Sequence, residues 1–79
     1  MTLVSLSPGE SGQVLQVAGC DEISIRLMEM GLTPGVVIQH IGAAPLGDPL
    51  EFELRGYRLS LRRSEAQRVE IERLASKST

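Results

Sequence analysis

Residues 50–61 read LEFELRGYRLSL and carry the clearest pattern in the chain. Apolar residues alternate with polar or charged residues on both sides of Arg55-Gly56, as in strands that bury one face. A two-residue turn at Arg55-Gly56 makes this stretch a β-hairpin and places Glu53 opposite Arg58 on the polar face. Because a slip of one residue would expose the apolar face, the alternation also predicts a single register.

The segments around the hairpin are short, apolar and separated by Gly or Pro, which favours a small barrel or sandwich. Further strands are predicted at residues 13–18, at 36–41 and around Val69–Ile71. A single helical turn, Ser64–Ala66 with Ser64 as its cap, is predicted before the last strand. If the last strand pairs with the first, the sheet closes into a barrel without exposed edges.

One longer helix is predicted at Asp21–Met30, where apolar residues recur at helical spacing. The Asp21 carboxylate can accept a hydrogen bond from a free N–H group in the first turn. Gly31 suits the residue that follows a helix, because this residue often adopts the left-handed conformation. Leu32 would then contact Leu27, as in a Schellman motif.

Length and composition limit the remaining function classes. With 79 residues we expect one domain, its barrel at about residues 6–73 and a frayed tail at 74–79. The net charge of −2 and the near absence of aromatic residues disfavour nucleic-acid binding. No apolar run approaches the length of about 20 residues that spans a bilayer, and the first ten residues lack a basic region. We therefore expect no signal peptide and no membrane insertion, and the single cysteine fits a reducing cytosol.

The single Cys20 and the single His40 are the candidates for nucleophilic chemistry. Nothing in their spacing predicts that the two side chains lie within hydrogen-bond reach, which a Cys–His pair requires. A chain this short also has few apolar residues to spare for a deep cleft. We therefore expect no enzymatic activity, and Cys20 is expected to fill a turn.

His40 is also the candidate metal ligand, since imidazole and carboxylate groups suit ferrous iron. Asp48 and Glu51 would approach His40 only if the long loop between the second and third strands folds back. A site shared between two chains would double the number of histidines. The alternative is that His40 is a partly buried strand residue beside Val36 and Ile38.

RLMEMGLTPG at residues 26–35 is followed by APLGDP at 44–49 and then by Arg55-Gly56-Tyr57. This order of motifs along the chain resembles the FeoA family of bacterial ferrous-iron transport, and the resemblance covers residues 6 to about 72. It implies a mostly β fold: a small SH3-like barrel with one α-helix inserted after the first strand. A short helical turn would precede the last strand.

The resemblance also implies a non-enzymatic, cytoplasmic accessory protein of ferrous iron uptake. Its partner would be the cytosolic GTP-binding domain of FeoB, the membrane protein that imports Fe²⁺, and a transition metal ion would bind weakly. We expect the partner to contact exposed segments of fixed shape, namely the helix, the turn after it and the following loop. The residues expected there are Arg26, Glu29, Met30, Leu32, Pro45, Leu46, Asp48 and Pro49.

An alternative is a transition-metal-responsive SH3-like module that acts on a separate iron-dependent regulator. His40 stands where the resemblance leads us to expect an apolar residue, which is a reason to test metal binding. Whether the chain forms a homo-oligomer, and whether it activates or inhibits transport, the sequence leaves open.

Overall fold

The computed structural model describes residues 1–74, and its strands and helices confirm a mostly β fold. The strands are β1 (Ser11–Val17), β2 (Val37–Ala43), β3 (Leu50–Leu54), β4 (Tyr57–Leu61) and β5 (Val69–Arg73). The helices are α1 (Glu22–Glu29) and α2 (Arg63–Ala66), and a 3-10 turn spans Leu3–Ser5. The strands form one antiparallel sheet in the order β4-β3-β2-β1-β5. Neither helix within residues 1–74 is long and apolar enough to cross a membrane.

The hairpin of β3 and β4 has the predicted register, with Glu53 opposite Arg58. Arg55 and Gly56 both have positive φ, at 50° and 83°, as the favoured two-residue hairpin turn requires. The apolar residues of β3 are all buried, and its glutamates lie on the other face. Local alternation and turn geometry therefore suffice to define this part of the fold.

Helix α1 begins and ends as the sequence predicts. At its start the Asp21 carboxylate accepts a hydrogen bond from the Ser24 N–H at 3.1 Å, and the Ser24 hydroxyl donates to the Asp21 carbonyl at 2.8 Å. At its end Gly31 has a φ of 107°, and the Leu32 N–H donates to the Leu27 carbonyl at 3.2 Å. These are the features of a Schellman motif, and both leucines are fully buried.

The core includes residues that precede the predicted start of the barrel. Leu3 and Leu6 are buried in the same cluster as the apolar residues of the strands. The Ile71 N–H donates to the Met1 carbonyl at 2.8 Å, and Thr2 forms a β-bridge with Glu70. The folded unit thus begins ahead of residue 6, because the first residues extend along β5.

The last strand pairs with the first as predicted, but the sheet does not close into a barrel. Within residues 1–74, β4 and β5 are the two outer strands and do not pair with each other. The chain between them forms α2, which contacts β4 and the 3-10 turn, and its Ala66 is fully buried. The sheet is therefore open between β4 and β5, and the chain that connects these two strands forms α2.

The cap predicted for α2 is wrong, and the tail predicted to be frayed lies partly outside the described residues. Ser64 is not the cap of α2: the Glu65 carboxylate accepts a hydrogen bond from the Arg62 N–H at 2.8 Å, so the helix begins earlier, at Arg63. Of the tail predicted to be frayed, Leu74 donates a hydrogen bond to the Ser11 carbonyl at 2.9 Å. Residues 75–79 lie outside the described part of the chain.

We predict that Gly31→Ala is considerably more destabilising than Gly35→Ala. Both glycines have positive φ, 107° and 94°, so both variants carry the backbone cost of about 1–2 kcal/mol. A Cβ on Gly31 would also lie 2.7 Å from the Tyr57 hydroxyl oxygen, whereas a Cβ on Gly35 meets no atom within 4 Å. Urea unfolding of both variants measures the difference in the free energy of unfolding.

Tyr57→Phe provides the control, because it removes the atom that the new Cβ would meet. The variant with both Gly31→Ala and Tyr57→Phe should recover part of the loss relative to Tyr57→Phe alone. Equal destabilisation by the two Gly→Ala variants would contradict the steric role assigned to Tyr57.

We predict that Asp21 makes the stability of the fold depend on acid. The Arg68 guanidinium, which donates to the carboxylate at 2.7 Å, holds the pKa of Asp21 below its ordinary value of 3.8, and the Ser24 N–H adds to this effect. Because the folded pKa is depressed, the stabilisation is present above 3.8 and is lost as the pH falls through the folded value. Asp21→Asn should therefore lower the free energy of unfolding near neutral pH and have little effect in strong acid.

Unfolding of the wild type and Asp21→Asn across this pH range tests the prediction, with Arg68→Met as the control background. The difference between aspartate and asparagine should shrink when Arg68 is absent. A difference in the free energy of unfolding between the two proteins that does not change with pH would show that Asp21 acts through its hydrogen bonds and not through its charge.

Candidate functional site

Helix α1 is one of the three segments predicted to bind a partner, together with the turn after it and the following loop. Ile25 and Met28 lie on its outer face and are 50% and 40% exposed, although both are apolar. A surface groove of about 370 Å³ runs along the helix. It is lined by Glu22, Ile23, Ile25, Arg26 and Glu29. The helix thus presents apolar side chains between two glutamates, and a partner can bind there without unfolding any part of the core.

The loop between β2 and β3 is another predicted segment, and its shape is fixed by hydrogen bonds. The Gly47 N–H donates to the Ala44 carbonyl at 2.7 Å, and the Ala44 N–H donates to the Pro49 carbonyl at 3.0 Å. The peptide bond between Asp48 and Pro49 is cis. Leu46, at the tip of this turn, is 96% exposed. The loop therefore holds a large apolar side chain in water on a defined backbone.

Helix α2 connects the loop with α1. At one end the Arg63 N–H donates to the Asp48 carboxylate at 2.8 Å, and the Arg63 guanidinium donates to the Gly47 carbonyl at 2.8 Å. At the other end the Glu65 carboxylate accepts a hydrogen bond from the Arg26 guanidinium. Two of the predicted segments, α1 and the loop, are thus each attached to the same four-residue helix.

The individual residues of the predicted surface differ in exposure. Those with exposed side chains are Arg26, Glu29, Pro45, Leu46, Asp48 and Pro49. Met30 is half-buried and packs against the core. Leu32 is fully buried, so its assignment to the surface is wrong, because the Schellman motif turns its side chain into the core.

His40 has the alternative role considered for it, that of a buried strand residue. It is 6% exposed, and its ring lies 5.1 Å from the Phe52 ring, centroid to centroid. Nδ1 lies 2.9 Å from the Leu6 carbonyl oxygen, and Nε2 lies 3.0 Å from the Gly42 carbonyl oxygen. Both ring nitrogens therefore face backbone oxygens, which leaves no ring nitrogen directed at a metal ion.

The other proposed ligands do not join His40. Asp48 is engaged by Arg63, as described above, and Glu51 is exposed on β3. Residues 1–74 contain no group of three or more His, Cys, Asp or Glu side chains placed to hold a metal ion. The residues of a single described chain thus do not fit a transition-metal site.

Sequence reasoning did not identify three residues that shape this region. Tyr57 stands at an apolar position of the alternating hairpin pattern, but it is 43% exposed and its hydroxyl donates to the Met30 carbonyl at the end of α1. Ile25 and Met28 were not assigned to the surface. The signal for them was present, because the helix carries apolar residues on more than the one face that the core requires.

A family model described as the FeoA domain matches residues 1–73. A fusion protein of Fe(2+) transport protein A and the Fe(2+) transporter FeoB from Porphyromonas gingivalis is 34% identical over all 79 residues. The chain spans 9% of the length of that relative.

Two solved structures of similar sequence have the same fold. The FeoA protein of Chlorobium tepidum superposes with a TM-score of 0.87 at 36% identity, over 99% of this chain and 74% of that one. The FeoA of Stenotrophomonas maltophilia, an SH3 domain protein complexed with zinc, gives a TM-score of 0.80 at 34% identity, over 91% and 89% of the two chains. Since the family model covers nearly the whole chain and the SH3-like architecture agrees, this protein belongs to the FeoA family.

Proposed function

We propose that this protein is a non-enzymatic cytoplasmic accessory protein of ferrous iron uptake that binds the cytosolic GTP-binding domain of FeoB. The observation that carries the proposal is the fusion of the two proteins in the Porphyromonas gingivalis relative. Fusion makes an association intramolecular and raises its effective concentration, often to the millimolar range. A domain that is not fused to this partner would need a contact surface of its own to reach it.

The outer face of α1 and the loop around Leu46 supply such a surface. Both are ordered in the free protein, α1 by its caps and the loop by Arg63, so little conformational entropy is lost on binding. Leu46 and Met28 are exposed apolar side chains outside the core cluster. Burial in a complex would remove both from water, which favours association.

The charges around α1 indicate what the partner would present. Glu22 and Glu29 border the groove, and Arg26 is already paired with Glu65. The charge left to face a partner at this groove is therefore negative. We expect a partner surface with an apolar centre and Lys or Arg at its rim, and such complementarity acts mainly on the association rate and on specificity.

We predict that Leu46→Asp and Met28→Glu each weaken binding to the cytosolic domain of the companion FeoB at least about tenfold, which corresponds to about 1.4 kcal/mol. Each change places a charge where the complex would bury an apolar group. Isothermal titration calorimetry of the FeoB domain, with and without guanine nucleotide and Fe²⁺, measures the affinity.

Val37→Glu is the matched control, since Val37 is 50% exposed on the sheet and belongs to neither segment. It should bind like the wild type. No heat from the wild type under any condition, with both proteins folded, would exclude this domain of FeoB as the partner. Wild-type affinity in Leu46→Asp and Met28→Glu would locate the contact elsewhere, and equal losses from all three variants would indicate a general effect of the added charge.

The alternative of a metal-responsive module rests on the zinc complex of the Stenotrophomonas maltophilia relative. In this chain the ring nitrogens of His40 are directed at carbonyl oxygens, as described above. A metal-dependent function would therefore need ligands from a second chain or from the partner. In the titrations above, a response to Fe²⁺ that appears only when both proteins are present would favour ligands shared across the complex.

A further inference from the structure

The two outer strands of the sheet differ in how their free edges are covered. On β5 the Ile71 N–H donates to the Met1 carbonyl at 2.8 Å, and Thr2 forms a β-bridge with Glu70, so the first two residues occupy that edge. On β4 no strand or bridge within residues 1–74 pairs with the side that faces away from β3. The sheet therefore has one edge that its own described chain leaves unpaired.

The register of the hairpin identifies the backbone groups on that edge. Leu54 and Tyr57 flank the two-residue turn and exchange hydrogen bonds, and the next such pair is Phe52 with Leu59. Because hydrogen-bonded and non-hydrogen-bonded pairs alternate, the N–H and C=O groups of Arg58 and Ser60 point away from β3. Both residues are exposed. The edge thus offers two donors and two acceptors to another extended chain.

The side chains beside this edge determine which sequences an added strand could have. Leu59, at 9%, is the most exposed residue of the buried core, so an added strand would extend the apolar face next to it. Arg58 lies on the opposite face and forms none of the ion pairs within residues 1–74. Arg55 and Arg62 lie just before and just after β4 in the chain. An added strand would therefore meet an apolar face on one side and, on the other, the Arg58 side chain, which lies across from Glu53 of β3.

The chain already contains a strand with matching chemistry, on the other side of β4. Residues 50–54 of β3 read LEFEL, which places apolar residues toward the core and Glu53 opposite Arg58. We propose that the free edge of β4 binds an extended segment of a partner protein in which apolar and acidic residues alternate. This mode is β-strand addition, in which backbone hydrogen bonds supply affinity and side chains supply specificity.

A second copy of this chain is a poorer occupant of the same edge. Antiparallel pairing of two β4 strands about Leu59 would place each Arg58 opposite Ser60 of the other copy. The two Arg58 side chains would then be diagonal neighbours on one face, about 7–8 Å apart at the backbone. Like charges at that spacing repel, whereas glutamate beside Arg58 is attracted.

The test uses the full chain labelled with ¹⁵N and an acetylated, amidated peptide that carries LEFEL between Gly-Ser linkers. We expect saturable shifts of the Arg58 and Ser60 amide signals, with an affinity at least about fivefold higher than that of the charge-reversed peptide LKFKL. Arg58→Glu should invert this preference. Inversion cannot arise from a loss of folding, and circular dichroism confirms that the variant is folded.

Ser60→Pro is a second variant, because it removes an N–H that points away from β3, and proline is accepted in edge strands at such positions. It should weaken LEFEL binding about tenfold or more, while Ser60→Ala should not. The proposal is overturned if neither peptide shifts these amides, or if both bind equally. Shifts of Arg58 and Ser60 that depend on protein concentration alone would assign the edge to a second copy and overturn the peptide assignment.

Discussion

The structure depends on the contacts that α1 makes with both sides of the opening between β4 and β5, since the backbone does not close the sheet there. Helix α1 contacts both sides of this opening: Asp21 binds Arg68 ahead of β5, and the Met30 carbonyl accepts from Tyr57 on β4. These polar contacts lie at the surface, where water screens an ion pair and its contribution to stability is small. Burial of a leucine such as Leu27 contributes about 1.5–3 kcal/mol, so apolar packing stabilises the closure and the polar contacts fix its geometry.

The parts of the fold that the sequence predicts correctly are those set by neighbouring residues. The hairpin register follows from alternation around Arg55-Gly56, and the end of α1 follows from Gly31 and Leu32. The missed parts depend on contacts between distant residues. Leu3 enters the core because the N-terminal residues lie along β5, and no local pattern in the sequence carries that information.

The candidate site was predictable to a similar extent. Turn residues predict exposed segments of fixed shape, and the loop around Leu46 is exposed and contains backbone hydrogen bonds of its own. Sequence alone did not show that Arg63 fixes this loop, because the two lie on different elements. His40 was ambiguous for the same reason: its partner, the Leu6 carbonyl, lies 34 positions away in the chain.

The placement of α2 has a consequence for how signals could pass through so small a protein. Its two ends hold the loop through Arg63 and α1 through Glu65, with only Ser64 between them. A ligand that displaces one end acts on a helix of a single turn, which has little internal freedom to absorb the movement. Any movement of the loop or of α1 that keeps these hydrogen bonds would therefore have to move α2 as well.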